Sequence, residues 1–228
     1  MSLFRLDASI NPAASQSRAL ADLVEAEWSA EHPDSIVTRR DIGTEPLSST
    51  LWRDVVTSGA ADDADITPAQ REARASATVL ANELIDADAI LLAIPLYNWG
   101  VAAHVKSWYD ITYTDARIKS GALKDKPVVL ASVLGGNYNA GTPKEGWDHS
   151  TPWLRRVIEE VWGADLLVVQ RQFTLVGVSP RHGSVQGCRR RNSAGVRTAR
   201  ERARSRARCQ AARTRQLTIG DHGRRVCR

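Results

Sequence analysis

The stretch Ala89-Ile-Leu-Leu-Ala-Ile-Pro-Leu-Tyr-Asn-Trp-Gly100 decides the fold. Its first half is a continuous apolar run, too short to span a membrane and the right length for a strand buried on both faces. Its second half turns abruptly. Pro95 ends ladder donation, Asn98 tolerates turn geometry, and Gly100 permits a close backbone approach. A helical pattern follows over 101–111, with Val101, Val105, Trp108 and Ile111 on one side. In an open parallel sheet, ligands sit in the loops just past the carboxyl ends of the strands. Residues 95–100 are therefore where a flat ligand is expected.

Working outward, apolar runs and helical stripes alternate. Leu3–Ala8 reads as the first strand, and a polar loop over 9–17 leads into a helix over 16–30. A short second strand covers 35–40, and a short helix lies near 51–57. Thr67 and Pro68 open a helix that runs to about residue 84. After the central stretch come a strand over 126–134 and a glycine-rich loop, Gly135-Gly-Asn-Tyr-Asn-Ala-Gly141. Thr151-Pro152 opens a helix to Trp162, and 166–176 is the last strand. The order β-α-β-α-β-α-β-α-β argues an α/β, doubly wound parallel sheet with helices on both faces.

The net charge of +5 conceals two unlike segments. Residues 1–178 carry 16 Lys and Arg against 24 Asp and Glu, a net −8. Residues 179–228 carry 15 Arg, no Lys, and only Glu201 and Asp221, a net +13. That tail has no aromatic residue and holds all three cysteines, Cys188, Cys209 and Cys227. It offers no apolar stripe for a last helix to dock on the sheet, and it reads as irregular or loosely helical. Its composition fits a shifted reading frame in a GC-rich gene, or a disordered basic tail; nucleic-acid binding is not expected unless that tail is genuine. The cysteine-free body excludes a disulfide framework and suits a reducing, cytoplasmic setting. No secretory signal or membrane span is read.

No Gly-x-Gly-x-x-Gly follows the first strand, and no Walker-type Gly-Lys-Ser/Thr occurs. The first loop offers hydroxyls instead: Ser9, Ser15 and Ser17, with Gln16, just before a helix N-terminus. Hydroxyl donors, free backbone N–H groups and the positive helix end can together hold a phosphate dianion. Taken one at a time, Ser15 or Ser17 reads better as an N-cap; it is the three hydroxyls together that raise the phosphate reading. No side-chain nucleophile, catalytic residue or metal-ligand spacing is visible in the body.

Three loops carry a resemblance: Ser9 with Ser15-Gln16-Ser17, then Pro95-Leu96-Tyr97-Asn98-Trp99-Gly100, then Gly135-Gly136-Asn137-Tyr138. Together with Lys106-Ser-Trp-Tyr-Asp110 and the segment Asp148-His-Ser-Thr-Pro-Trp-Leu-Arg155, they resemble the FMN-dependent NADH azoreductase / NAD(P)H:quinone oxidoreductase family over residues 2–178. The resemblance implies a five-stranded flavodoxin-like sheet in a domain of residues 1–178. It implies that Ser9, Ser15, Gln16 and Ser17 hold the FMN phosphate. Pro95, Leu96, Tyr97, Asn98 and Trp99 would line the flavin ring, and Gly135, Gly136 and Tyr138 would close its pyrimidine edge. It further implies NADH or NADPH as donor, a quinone or azo acceptor, ping-pong transfer through the flavin, and a homodimer. A carrier that binds FMN without nicotinamide-driven turnover is the alternative. Two departures stand out: Ala102 replaces a frequent proline, and the segment 110–126 is short, with Tyr113 as a candidate lid aromatic.

Overall fold

The computed structural model describes residues 1–59 and 64–174. The Arg-rich segment 179–228, and the expectation of a loosely helical or irregular tail, lie outside the described residues. Five strands form one sheet: β1 (Ser2–Asp7), β2 (Ile36–Asp41), β3 (Ala89–Pro95), β4 (Pro127–Val133) and β5 (Asp165–Arg171), in the order β2-β1-β3-β4-β5. All four pairings are parallel. The expected doubly wound sheet is present, and the last strand ends earlier than the apolar pattern suggested.

The helices are α1 (Gln16–Glu31), α2 (Leu51–Ser58), α3 (Pro68–Ile85), α4 (Ala103–Thr112), α5 (Ala116–Lys119) and α6 (Thr151–Arg155). α3 starts where its sequence says: the Thr67 hydroxyl accepts from Gln70 N–H, and the Gln70 side chain accepts from Thr67 N–H, a reciprocal capping box. α6 does not continue to Trp162 as an α-helix. It passes into a π-helical turn, Arg156–Val161, closed by Trp162 N–H on the Val157 carbonyl at 2.9 Å. A 3₁₀ turn, Pro12–Ala14, and the four-residue α5 carry too few apolar positions to leave a periodic trace.

β3 is buried along its whole length, which explains its unbroken apolar sequence. Its alternate residues serve two cores. Ile90, Leu92 and Ile94 join Phe4, Leu6, Val128 and Leu130 under α3, α4 and α6, where Leu80, Leu84, Trp108 and Leu154 pack. Ala89, Leu91 and Ala93 join Leu3, Ala131 and Val133 beneath Leu20 and Ala21 of α1. Among the described residues only α1 lies on this second face, and Val129 and Leu167 remain half-buried there.

Beneath α1 a charge network crosses the sheet. The Arg5 guanidinium, 5% exposed, bonds Asp7 at 3.1 Å, Asp22 at 2.6 Å and Glu25 at 3.0 Å. Burial alone would lower the Arg5 pKa, but its three carboxylate partners outweigh that and raise it.

Candidate functional site

The order β2-β1-β3-β4-β5 reverses direction between β1 and β3, so the loops leaving those two strands diverge and open a crevice at the carboxyl edge. Cross-loop bonds fix its geometry. Ala8 N–H extends the ladder to the Ala93 carbonyl at 3.1 Å. Ile10 N–H donates to the Tyr97 hydroxyl at 3.2 Å, tying the first loop to the third-strand loop. His104, in the first turn of α4, places Nε2 2.9 Å from the Ala8 carbonyl oxygen. A carbonyl only accepts, so Nε2 carries the proton. On the other side, Leu96 N–H donates to the Val133 carbonyl at 2.9 Å, joining the β3 and β4 loops.

The serine loop is built on the start of α1. Ser15 is the N-cap: its hydroxyl accepts from Arg18 N–H at 3.1 Å. The same oxygen lies 3.1 Å from the Ser17 hydroxyl. Ser9 and Ser17 are buried, Gln16 is half-buried, and no acidic side chain stands in the first turn of α1. The cap reading and the anion reading thus divide between residues. Ser15 is engaged as a cap, whereas Ser17 is a buried hydroxyl whose described partner is another hydroxyl. Ser15 and Ser17 meet at the α1 N-terminus, where hydroxyls and free amides suit a phosphate, while the Ser9 hydroxyl accepts from Asn11 N–H at 3.4 Å and the Ser9 carbonyl accepts from Arg18.

The turn after β3 is a two-residue hairpin. Tyr97 and Gly100 form an isolated antiparallel bridge, with Gly100 N–H on the Tyr97 carbonyl at 3.0 Å. Both central residues take left-handed dihedrals, Asn98 at φ 47° and Trp99 at φ 64°, as a type I′ turn requires. This corrects the reading of Gly100. Its φ is not positive, and a Cβ there would meet nothing within 4 Å, so the chain itself does not need glycine at that position. The strain falls on Trp99 instead, at roughly 1–2 kcal/mol for a non-glycine residue. Trp99 is restrained by His149 N–H on its carbonyl at 2.9 Å and by the Trp147 ring, edge-on at 5.5 Å. Leu96 and Tyr97 are half-buried, while Asn98 and Trp99 are exposed.

The β4 loop completes the edge. Gly135, Gly136 and Tyr138 are half-buried. The Gly136 carbonyl accepts from Phe173 N–H at 3.3 Å, and Lys144 holds its ammonium 5.7 Å from the Tyr138 ring centroid. Burial pushes the Tyr138 phenol pKa up, with the Asp148 charge adding to it. Asp148 itself accepts from the Ser150 and Thr151 amides and so starts α6. Tyr113, the lid candidate, is not brought to these loops: it ends α4, stacked on Tyr109 at 5.5 Å.

The structure adds residues that sequence patterning did not single out. Gly43, just after β2, lies directly behind Ser9. Arg18 links Ser9 to Asp41, and His104 reaches Ala8. Arg18 had a visible signal, because a cation in the first turn of a helix opposes the helix macrodipole and needs a local reason. Among the described residues no group of three or more His, Cys, Asp or Glu could hold a metal ion, and no helix is long and apolar enough to cross a membrane.

With this geometry in place, comparison with known proteins is informative. A protein family described as having a flavodoxin-like fold matches residues 1–191. The FMN-dependent NADH:quinone oxidoreductase of Frankia alni is 34% identical over 183 residues, covering 78% of this chain and 86% of that protein. The enzyme of the same name from Kineococcus radiotolerans is 33% identical over 187 residues, covering 81% of this chain and 89% of its own. Among solved structures, an azoreductase from Bacillus anthracis superposes with a TM-score of 0.70 at 19% identity, over 89% of this chain and 98% of that one. A further Bacillus anthracis structure, an FMN-dependent NADH-azoreductase in complex with FMN, superposes with a TM-score of 0.68 at 12% identity, over 92% and 100% of the two chains. At those identities the superpositions establish the fold, and the sequence relatives establish the kinship. This chain belongs to the flavodoxin-like family of the FMN-dependent NADH:quinone oxidoreductases.

Proposed function

We propose that this protein is an FMN-dependent NAD(P)H oxidoreductase that reduces quinones, azo compounds or both. The observation that carries the reading is the convergence of the serine loop, the Tyr97–Gly100 hairpin and the Gly135–Tyr138 loop at the β1/β3 crevice. The relatives sharing about a third of the sequence are named as FMN-dependent NADH:quinone oxidoreductases, which favours an enzyme over a simple electron carrier. NADH is the donor in those names, and NADPH stays open as a second donor.

The residues present fit FMN. Ser9, Ser15, Gln16 and Ser17 would hold its phosphate at the α1 N-terminus, where hydroxyls and backbone amides replace a lysine. Pro95, Leu96, Tyr97, Asn98 and Trp99 would line its ring, and Gly135, Gly136 and Tyr138 would border its polar edge. Bound FMN would supply the redox chemistry, taking a hydride equivalent from reduced nicotinamide and yielding two electrons to the acceptor. The chain's own task is to bind and orient. The hairpin sets the Trp99 ring edge-on to Trp147, and the Tyr97 hydroxyl, accepting from Ile10 N–H, together with His104, bonded to the Ala8 carbonyl, ties the β1 loop to the β3 loop and α4.

We assign the flavin domain to residues 1–178 and treat 179–228 as a separate tail. A homodimer is supported by apolar side chains left exposed on the loops beside the site: Ile10 at 61%, Trp147 at 46% and Trp99 at 44%. A cytoplasmic setting accords with a body that carries no cysteine before Cys188.

The test is spectroscopic. Purified protein, reconstituted with FMN if necessary, is examined anaerobically. NADH should bleach the flavin absorbance within seconds, and added quinone should restore it. Protein that takes up no FMN defeats the flavin reading. Bound flavin that stays oxidised under NADH makes the protein a carrier instead.

A further inference from the structure

A backbone loop that receives a phosphate must turn its N–H groups toward the anion and its carbonyl oxygens away, because each carbonyl carries a partial negative charge. In the β1 loop two successive carbonyls are held by side chains from two different helices. His104 Nε2 of α4 holds the Ala8 carbonyl at 2.9 Å, and Arg18 Nη2 of α1 holds the Ser9 carbonyl at 3.3 Å. The Arg18 guanidinium is itself anchored, by Asp41 at 2.6 Å and with Asp7 at 3.9 Å. Its charge is thereby balanced by the carboxylates at the ends of β1 and β2, which suits an orienting role better than direct pairing with a ligand anion. The Ser9 peptide also lies against Gly43, so closely that a Cβ there would fall 2.2 Å from the Ser9 carbonyl oxygen. Arg18 stands at the start of a helix, where its charge opposes the macrodipole. The bond to Ser9 and Asp41 supplies the local reason for its presence.

We infer that Arg18 and His104 are positioning residues of the phosphate loop: they hold the Ser9 and Ala8 carbonyls away from the anion and so set the preference for a phosphorylated flavin over an unphosphorylated one. The inference rests on the flavin reading above. Both side chains end on backbone carbonyls of the β1 loop. Their effect is confined to the phosphate end.

Riboflavin, which lacks the phosphate, separates this role from general support of the fold. Full-length apoprotein is titrated with FMN and with riboflavin, following the quenching of flavin fluorescence. Arg18→Met and His104→Leu should each raise the FMN Kd by about tenfold while leaving the riboflavin Kd within about twofold. His104→Gln, which keeps a donor near the Nε2 position, should restore most of the FMN affinity. Equal weakening of both flavins in a variant, or an unchanged FMN-to-riboflavin ratio, overturns the inference. Should Arg18→Met fail to fold, the His104→Leu and His104→Gln pair makes the same comparison at the neighbouring carbonyl. A wild-type protein that binds FMN no better than riboflavin overturns the phosphate-loop assignment itself, a different result from a wild-type preference that the variants leave intact.

Discussion

Gly43 stands so close to Ser9 that a Cβ on it would fall 2.2 Å from the Ser9 carbonyl oxygen and 2.5 Å from the carbonyl carbon. Both atoms are backbone, so no flexible side chain can move aside. The β2 loop thus presses on the β1 loop from behind, and Asp41 fixes that press by accepting from Gly43 N–H at 3.0 Å. Gly43→Ala should cost about 1–3 kcal/mol, the usual range for forcing extra volume into a packed site. In a domain of this size that lowers the thermal midpoint by roughly 2–4 °C per kcal/mol. FMN affinity should fall as well, because relief requires Ser9 to move. Calorimetry and an FMN titration on the same preparation check both effects. An alanine variant with native midpoint and native affinity would show that Ser9 is not held from this side.

The two serines at the head of α1 should behave unequally. Ser15 caps the helix through Arg18 N–H, while the buried Ser17 hydroxyl has Ser15 as its described partner. Ser15→Ala should therefore lower stability by about 0.5–2 kcal/mol, the range for a lost N-cap. Ser17→Ala should weaken FMN by about 1–3 kcal/mol, as expected for losing a hydrogen bond to a charged group. The two effects on FMN should be non-additive, since the hydroxyls share a contact and a ligand. Titration of the single and double variants decides. A double variant with undiminished FMN affinity would leave Ser15 a cap and Ser17 a buried hydroxyl with no part in holding FMN.

At the hairpin, backbone and side chain can be separated. Asn98 sits at φ 47°, where alanine is strained and glycine is not. Asn98→Ala should destabilise the protein by about 1 kcal/mol, and Asn98→Gly should leave stability nearly unchanged. Both remove the amide. If that amide contacts the bound flavin, Asn98→Gly lowers quinone turnover at an unaltered thermal midpoint. Full turnover in Asn98→Gly would move the chemistry away from this side chain.

Much of this is legible in the sequence. The unbroken apolar run of β3 has the length of a strand buried on both faces, and Thr67-Pro68 marks a helix start. The serine cluster, the Pro95–Gly100 turn and the Gly135–Tyr138 loop were legible because each carries its own residue signature. What escaped depends on contacts between segments distant in sequence. Nothing local says that Gly43 will lie against Ser9, or that His104 will reach back 96 residues to Ala8. The hairpin shows the same limit in miniature. Asn98 reads as a turn residue and takes a left-handed dihedral, but a Cβ on Gly100, read as a place of close backbone approach, would meet nothing within 4 Å, and the second left-handed dihedral falls on Trp99, because the bond from Gly100 to Tyr97 sets the turn and the contacts from His149 and Trp147 hold it. The π-helical turn after α6 was hidden likewise: an apolar stripe does not distinguish one extra residue per turn over so short a run.

Asp41 gives the site an acid limit whose sign can be worked out. Burial alone would raise its carboxyl pKa, but hydrogen bonds from Thr44 and Arg18 outweigh that and hold it below the ordinary carboxylate value. A folded-state pKa below the unfolded one stabilises the protein fully above the unfolded value, near pH 4, and the contribution is lost as pH falls through the folded value. Asp88 and Asp115 are depressed in the same direction, so acid unfolding of the wild type is a sum over several groups. Comparison with Asp41→Asn isolates the Asp41 share. The variant should be less stable than wild type at neutral pH, and the gap should narrow as pH falls from about 6 toward about 2. Denaturant midpoints at successive pH values measure it. A gap that stays constant with pH would mean that Asp41 acts through the shape of its bonds to Gly43 and Thr44, with no part played by its charge toward Arg18.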